Sequence, residues 1–164
     1  MVPVLFALGT NLGDREANLR RAITWLRRET AVDAVSAVYE TAPMYDTDQG
    51  AFLNMCVAAR TDLTPEALLA RLKAAEAEIG RLPSRPNGPR LIDLDLLLYG
   101  DRAVDRPELA VPHPRMAERG FVLAPAADVA AGWRHPVEGR SVAELLQALG
   151  PLSGVVRRDD LVLD

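Results

Sequence analysis

Hydrophobic positions along this chain follow two periods, and the points where one gives way to the other divide it into elements. Val4 to Leu8 is an unbroken apolar run closed by Gly9, which predicts a buried strand. Leu19, Ala22, Ile23 and Leu26 then recur at spacings of three and four, one face of a helix. Valine-rich Val32 to Tyr39 predicts a second strand. Thr41 to Gly50 has turn chemistry and no period, a loop of the kind that carries function. From Phe52 to Thr61 the pattern alternates, with Leu53, Met55 and Val57 on one face and Phe52, Asn54 and Cys56 on the other. Thr64-Pro65-Glu66 opens a helix with a capping hydroxyl, a first-turn proline and an early acid. Leu68, Leu72, Ala75 and Ile79 give its stripe and Gly80 stops it, so residues 64–80 are predicted helical.

Pro83, Pro86, Gly88 and Pro89 exclude helix or central strand from residues 81–90, a loop that carries Arg81, Arg85 and Arg90. Leu91 to Tyr99 returns to an apolar strand interrupted by Asp93 and Asp95. Ser141-Val142-Ala143-Glu144 is a capping box opening a short helix that ends at Gly150. The order strand, helix, strand, strand, helix, strand predicts an α+β domain, a ferredoxin-like two-layer sandwich with an antiparallel sheet carrying helices on one face. Substrate loops around 42–50 and 81–90, with the segment after Asp101, are expected over the other face. No internal repeat, low-complexity tract or linker divides the chain, so residues 1–164 are expected to form one domain.

Charge narrows the partners. Nineteen basic against 23 acidic residues give a net charge of -4, with no like-charged block of five or more, which disfavours nucleic acid and anionic membranes. Cys56 is the single cysteine, so no intrachain disulfide and no zinc site built on cysteine pairs can form, and a reducing, cytoplasmic setting is expected. The apolar start, Met1 to Leu8, lacks a basic lead and is cut short from Asp14 onward; it is expected to be a strand, neither signal nor anchor.

The chemistry concentrates at Asp93 and Asp95. Two apart on a strand, they share a face roughly 6.6 Å apart, while Ile92, Leu94 and Leu96 share the opposite one. At an effective dielectric near 20 the two charges repel by roughly 2.5 kcal/mol, and partial burial adds desolvation. An isolated Asp-x-Asp is most often a solvated or arginine-paired strand end. Here the acids interrupt a buried strand directly after a loop with three arginines, and carboxylates for metal beside guanidiniums for phosphate suit phosphoryl transfer. No Gly-x-x-x-x-Gly-Lys-Ser/Thr loop or Gly-x-Gly-x-x-Gly turn is present, and Lys73 is the only lysine, so a nucleotide site would lean on arginine and metal.

Gly88-Pro89-Arg90-Leu91-Ile92-Asp93-Leu94-Asp95-Leu96-Leu97 resembles the signature of the 6-hydroxymethyl-7,8-dihydropterin pyrophosphokinase family. The likeness extends through Leu8-Gly9-Thr10-Asn11-Leu12-Gly13, Tyr39-Glu40-Thr41-Ala42-Pro43 and Phe52-Leu53-Asn54. It continues in Val111-Pro112-His113-Pro114-Arg115-Met116 and Arg119-Gly120-Phe121, collinear over residues 3–128. The resemblance implies transfer of the terminal diphosphate of ATP to the pterin hydroxymethyl oxygen with release of AMP, in folate biosynthesis. It implies Asp93 and Asp95 as ligands of two magnesium ions, with Asp95 also near the attacking hydroxyl, and Arg81 and Arg90 as catalytic phosphate contacts. Glu76, Arg85, Leu96, Ala110, His113 and Arg119 complete the implied ATP site: Glu76 for ribose hydroxyls, Leu96 and Ala110 through backbone contacts to adenine, His113 as a hydrogen-bond donor. Thr41, Ala42, Met44, Phe52, Asn54 and Phe121 would hold the pterin, Phe121 stacking opposite Phe52 and the Asn54 amide pairing with the ring edge. Where relatives carry a basic residue and a tryptophan before Gly88, this chain has Pro86 and Asn87; Glu108 and Pro114 also depart from the family pattern.

Other readings of the same residues remain: a metal-dependent kinase on another hydroxymethyl heterocycle, or a non-catalytic ferredoxin-like ligand-binding domain. The implied partners are ATP and the reduced pterin, for a monomer acting beside another folate-pathway enzyme. A solvated helix face is the ordinary expectation for a residue such as Glu76 taken alone, and core packing for Phe52 or Phe121 taken alone; Trp25, on a helix beside Leu26, is expected to be packed or partly exposed. His135 is expected at the surface, and Gly9 and Gly13 are expected to serve turn geometry before the first helix.

Overall fold

The computed structural model of the protein describes residues 1–42, 50–80 and 91–163. Strand β1 (Val2–Thr10) leads to helix α1 (Arg15–Glu29), β2 (Ala31–Val35), β3 (Tyr39–Thr41), β4 (Phe52–Thr61) and α2 (Pro65–Ile79). Then come β5 (Asp93–Tyr99), the hairpin of β6 (Val104–Arg106) and β7 (Leu109–Val111), and α3 (Gly120–Ala130). A second hairpin of β8 (Arg134–His135) and β9 (Arg140–Ser141), α4 (Val142–Ala148) and β10 (Val155–Arg157) close the order. The main sheet runs β10-β3-β4-β1-β5, with β2 also on β4, and every pairing in it is antiparallel. Among the described residues no helix is long and apolar enough to cross a membrane.

Strand β1 is apolar without alternation because both its faces are covered. Val4, Phe6 and Leu8 join Leu53, Met55, Val57 and the stripes of α1 and α2 in one core, while Leu5 joins Cys56, Ala58, Leu97, Leu98 and the inner faces of α3 and α4 in a second. The expected α+β fold with an antiparallel sheet is present, but helices stand on both faces and not on one: the segment after Asp101 covers the second face as α3 and α4, because Leu5, Cys56, Ala58, Leu97 and Leu98 are apolar there too. Burial pushes the Cys56 thiol pKa up, and its S–H donates to the Val122 carbonyl at 3.6 Å, tying β4 to the first turn of α3.

Several local devices explain the element ends. The Asp14 carboxylate caps α1 and the Thr64 hydroxyl caps α2; Gly80, at φ 108°, ends α2. The capping box at Ser141 and Glu144 is formed in both directions. The predicted strand 32–39 is two strands. Ser36 breaks it, since its hydroxyl accepts the Cys56 N–H at 2.8 Å in place of a ladder carbonyl. Helix α3 has no counterpart in the sequence reading because Pro125 lies inside it and removes the donor for the Phe121 carbonyl. Strand β10 is likewise unforeseen: three residues carry no readable period.

In β5, Phe6 faces Leu96 and Leu5 faces Leu98, so Leu97 is the extra residue of a bulge. The bulge resets the alternation: Asp93, Asp95 and then both Leu97 and Leu98 point to the α3 side. His135 corrects an expectation. It is 6% exposed, and its Nδ1 accepts the Val137 and Glu138 N–H groups at 3.3 and 3.0 Å, closing the β8–β9 hairpin.

Leu19 joins α1 to the sheet and is fully buried. Leu19→Ala should destabilise the fold by about 2–5 kcal/mol in urea unfolding, whereas Val156→Ala, at an exposed position of β10, should change it by less than about 0.5 kcal/mol.

Candidate functional site

Register builds the site in two rows across three strands. Asn54 of β4 stands opposite Gly9 of β1, and Gly9 stands opposite Asp93 of β5; one pleat further, Cys56, Ala7 and Asp95 line up in the same way. All six side-chain positions face the α3 side. With strands about 4.8 Å apart, the Asn54 and Asp93 backbones lie about 10 Å from each other. Between them β1 offers only a hydrogen and a methyl group, so the middle of the sheet is a trough walled by an amide on one side and two carboxylates on the other.

Gly9 therefore serves a different purpose from the expected turn. It lies within β1, and a Cβ there would stand 3.4 Å from Asn54 Oδ1 and 3.8 Å from Phe52 Cδ1, filling the trough floor. Gly13 does serve a turn, at φ 70°. Ala7, Gly9, Phe52, Asp93 and Asp95 are all partly exposed although they sit on inner strands or face the covered side. The α3 cover thus stops at the Cys56 row, and Phe121, next to the Val122 that Cys56 holds, stands at its rim.

The walls are locked by hydrogen bonds. Asn54 is buried and its Nδ2 donates to Thr41 Oγ1 at 3.0 Å, which fixes the amide and leaves its oxygen toward Gly9. Asn11 Nδ2 reaches the Gly50 carbonyl at 3.3 Å. Arg15 joins Glu40 at 2.7 Å and the Ala51 carbonyl at 3.0 Å, and Arg158 reaches the same Glu40 oxygen at 3.4 Å. The last three contacts hold the two strand ends that flank residues 43–49.

On the outer edge of β5, α2 and the 112–115 segment take up backbone groups. Glu76, against its expected solvated alternative, is buried, and its Oε2 accepts the Leu94 N–H at 2.9 Å. The His113 N–H donates to the Leu97 carbonyl at 2.9 Å. Leu96 lies between these two, and by strand alternation its backbone groups also face outward. Ala110, opposite Asp105 in the β6–β7 hairpin, is half-buried nearby on a strand that contacts β5.

His113 Nδ1 accepts the Arg115 N–H at 3.2 Å, so the neutral ring carries its proton on Nε2 and presents a donor. Burial first, then Arg119 and Arg115, push its pKa below the ordinary 6.5. The Arg119 guanidinium carbon lies 5.6 Å from the centre of the Phe121 ring, a cation–π distance. Thr41 is buried and Ala42 exposed; Glu108 pairs with Arg106 at 3.5 Å, and Pro114 is exposed. The expected roles of Met44, Arg81, Arg85 and Arg90 fall outside the described residues. Sequence reading missed the space that Ala7 and Gly9 leave, for which the signal was two small residues inside an otherwise bulky strand.

A histidine whose folded pKa is depressed binds fewer protons than in the unfolded chain between that value and 6.5. Stability should therefore fall as pH drops below about 6.5 and level off once the folded ring is also protonated. Nitrogen-15 NMR should find His113 neutral with its proton on Nε2 at pH 7, titrating below 6.5. A ring titrating above 6.5 would contradict this electrostatic account.

Comparison with known proteins agrees with the geometry. The family model described as 7,8-dihydro-6-hydroxymethylpterin-pyrophosphokinase (HPPK) matches residues 5–131. The 2-amino-4-hydroxy-6-hydroxymethyldihydropteridine pyrophosphokinase of Bacillus subtilis is 47% identical over 125 residues, 75% of each chain. The protein of that name from Pseudomonas aeruginosa is 42% identical over 156 residues, 94% of this chain and 95% of that one. The structure of wild-type Plasmodium falciparum HPPK-DHPS superposes with a TM-score of 0.71 at 15% identity; the match covers 90% of this chain but 44% of that longer one, and it shows the shared fold. The chain belongs to the 7,8-dihydro-6-hydroxymethylpterin-pyrophosphokinase family.

Proposed function

We propose that the protein transfers the terminal diphosphate of ATP to 6-hydroxymethyl-7,8-dihydropterin, a step of folate biosynthesis. The hydroxymethyl oxygen attacks the β-phosphorus and gives up its proton to solvent, the bond between the β-phosphorus and the α–β bridging oxygen breaks, and AMP leaves with that oxygen. The observation that carries this reading is the trough itself, with an amide wall at Asn54 and a double carboxylate wall at Asp93 and Asp95.

In this reading the pterin lies over Gly9 and Ala7. A flat ring fits where β1 offers no side chain, the Asn54 oxygen pairs with a ring N–H, and Phe52 and Phe121 stack on its two faces. Thr41 fixes the amide, and Ala42 and Met44 line the remaining edge. The hydroxymethyl group then projects toward the β5 wall, where Asp95 stands near the oxygen that attacks.

Asp93 and Asp95 fit magnesium. They are hard oxygen donors on one face, partly exposed, and magnesium is commonly held by one or two carboxylates with water and phosphate oxygens completing its shell. Two such ions, when bound, neutralise charge on the phosphoryl oxygens. The chain's own part is positioning. Arg81 and Arg90, with Arg85 as a further contact, hold phosphates, and the His113 Nε2–H and Arg119 supply donors on the nucleotide side. The outward backbone of Leu96, with Ala110 beside it, reads adenine. The proposal extends to a monomer working in the cytoplasm beside another folate-pathway enzyme; the double name of the Plasmodium chain supports the last of these.

Product analysis tests the reaction. Mixing the protein with ATP, magnesium and the pterin should yield AMP only when pterin is present. Asp93→Ala and Asp95→Ala should each lower turnover by at least about 100-fold, the scale of losing a group that stabilises transition-state charge. ADP in place of AMP would mean single-phosphate transfer and sink the diphosphate reading, and no turnover by a folded, metal-loaded wild type would sink the substrate assignment.

A further inference from the structure

We propose that Glu76 is a positioning residue for the two acids, acting through the Leu94 amide that lies between them in the chain; this rests on Asp93 and Asp95 being the metal-holding pair. Strand β5 is an edge strand of the main sheet. On its inner side the opposition of Asp93 to Gly9 and of Asp95 to Ala7 holds it to β1. On its outer side the Leu94 N–H points away from the sheet toward α2, with Leu94 itself 3% exposed. Glu76, 7% exposed, accepts that N–H at 2.9 Å.

Three consequences follow from this geometry. A buried N–H at an edge would be orphaned without an acceptor, and an orphaned amide favours local opening of the strand. Opening at Leu94 changes the pleat, and the pleat sets the spacing and direction of the Cα–Cβ bonds from which the flanking carboxylates project. The extra residue at Leu97 follows within three positions, so the regular ladder beside the acids runs only to Leu96 before it is interrupted. Glu76 therefore spends one carboxylate oxygen on preorganising its neighbours, which is a different task from contacting the ribose of a nucleotide.

Four full-length proteins separate the two tasks: the wild type, Glu76→Gln, which keeps an acceptor oxygen, Glu76→Asp, which keeps the charge one methylene short, and Glu76→Ala. Manganese is the metal probe, read by paramagnetic resonance with a nonhydrolysable ATP analogue, and hydrogen exchange reads the Leu94 amide. Ala and Asp should weaken manganese binding by about 10- to 100-fold, the usual effect of losing a partner behind a metal ligand, and should speed exchange at Leu94. Gln should stay within about threefold of wild type on both measures. Replacing ATP with 2′,3′-dideoxy-ATP should weaken binding by the same factor in all four proteins. A dideoxy penalty that vanishes in the variants would make Glu76 a ribose contact and overturn the proposal. Lost Leu94 protection with unchanged manganese affinity would reduce the bond to a structural one. If Asp93→Ala leaves manganese binding untouched, the metal assignment itself falls and takes the proposal with it, an outcome distinct from failure at Glu76 alone.

Discussion

The antiparallel register of β1 between β4 and β5, with both faces of that strand covered, is the constraint on which the rest of the molecule depends. Because side chains alternate with a period of two, a slip of one residue would turn Leu8 and Phe6 out of the α1–α2 core and bring Gly9 and Ala7 into it. The apolar cost of that slip is large enough to forbid it: burying one such side chain contributes about 1.5–3 kcal/mol. The same register that satisfies the core therefore also places Asn54, Gly9 and Asp93 in one row. Core and site are two faces of one alignment.

Residues outside the sheet hold that alignment open. Leu91, the first described residue after Arg90, lies against two glycines in left-handed conformation: a Cβ at Gly13 would stand 3.3 Å from it and one at Gly80 3.2 Å. The β1–α1 turn, the end of α2 and the start of the acid strand thus meet on one leucine. Asn18, buried on α1, steadies the same turn by donating to Thr10 Oγ1 and the Leu12 carbonyl. Beside the end of β3 the Arg15–Glu40–Arg158 cluster is only partly exposed and shares one carboxylate oxygen between two guanidiniums, which makes it more than a screened surface pair. Tyr39, whose hydroxyl donates to Asp128 and whose pKa is pushed up to about 12 mainly by burial, ties the neighbouring strand to α3.

Much of this was readable from residues because local and global preferences agree. The α2 boundaries follow from Thr64, Pro65 and Gly80, and the opposing faces of β4 from its alternation. The shared face of Asp93 and Asp95 follows from their spacing. What escaped reading has physical causes. Ser36 looks like one more strand residue until its hydroxyl is seen replacing a backbone acceptor. Pro125 argues against a helix that packing against the sheet nevertheless enforces, and His135 looks polar and external until two amides converge on its Nδ1. Glycine preference alone points Gly9 to a turn, whereas its worth lies in the volume it leaves empty, which no single-residue preference encodes. The identity of Glu76's partner depended on how α2 sits against the edge of β5, a long-range fact.

The bulge at Leu97 has an electrostatic meaning beyond geometry. By turning two successive leucines to the side of the acids, it sets hydrocarbon directly behind Asp95, so the carboxylates stand at an abrupt boundary between a poorly polarisable interior and water. Beside hydrocarbon a carboxylate keeps little of its water shell on that side, so solvent screens its charge from the open side alone. The strand thus gives its two acids a dry side and a wet side.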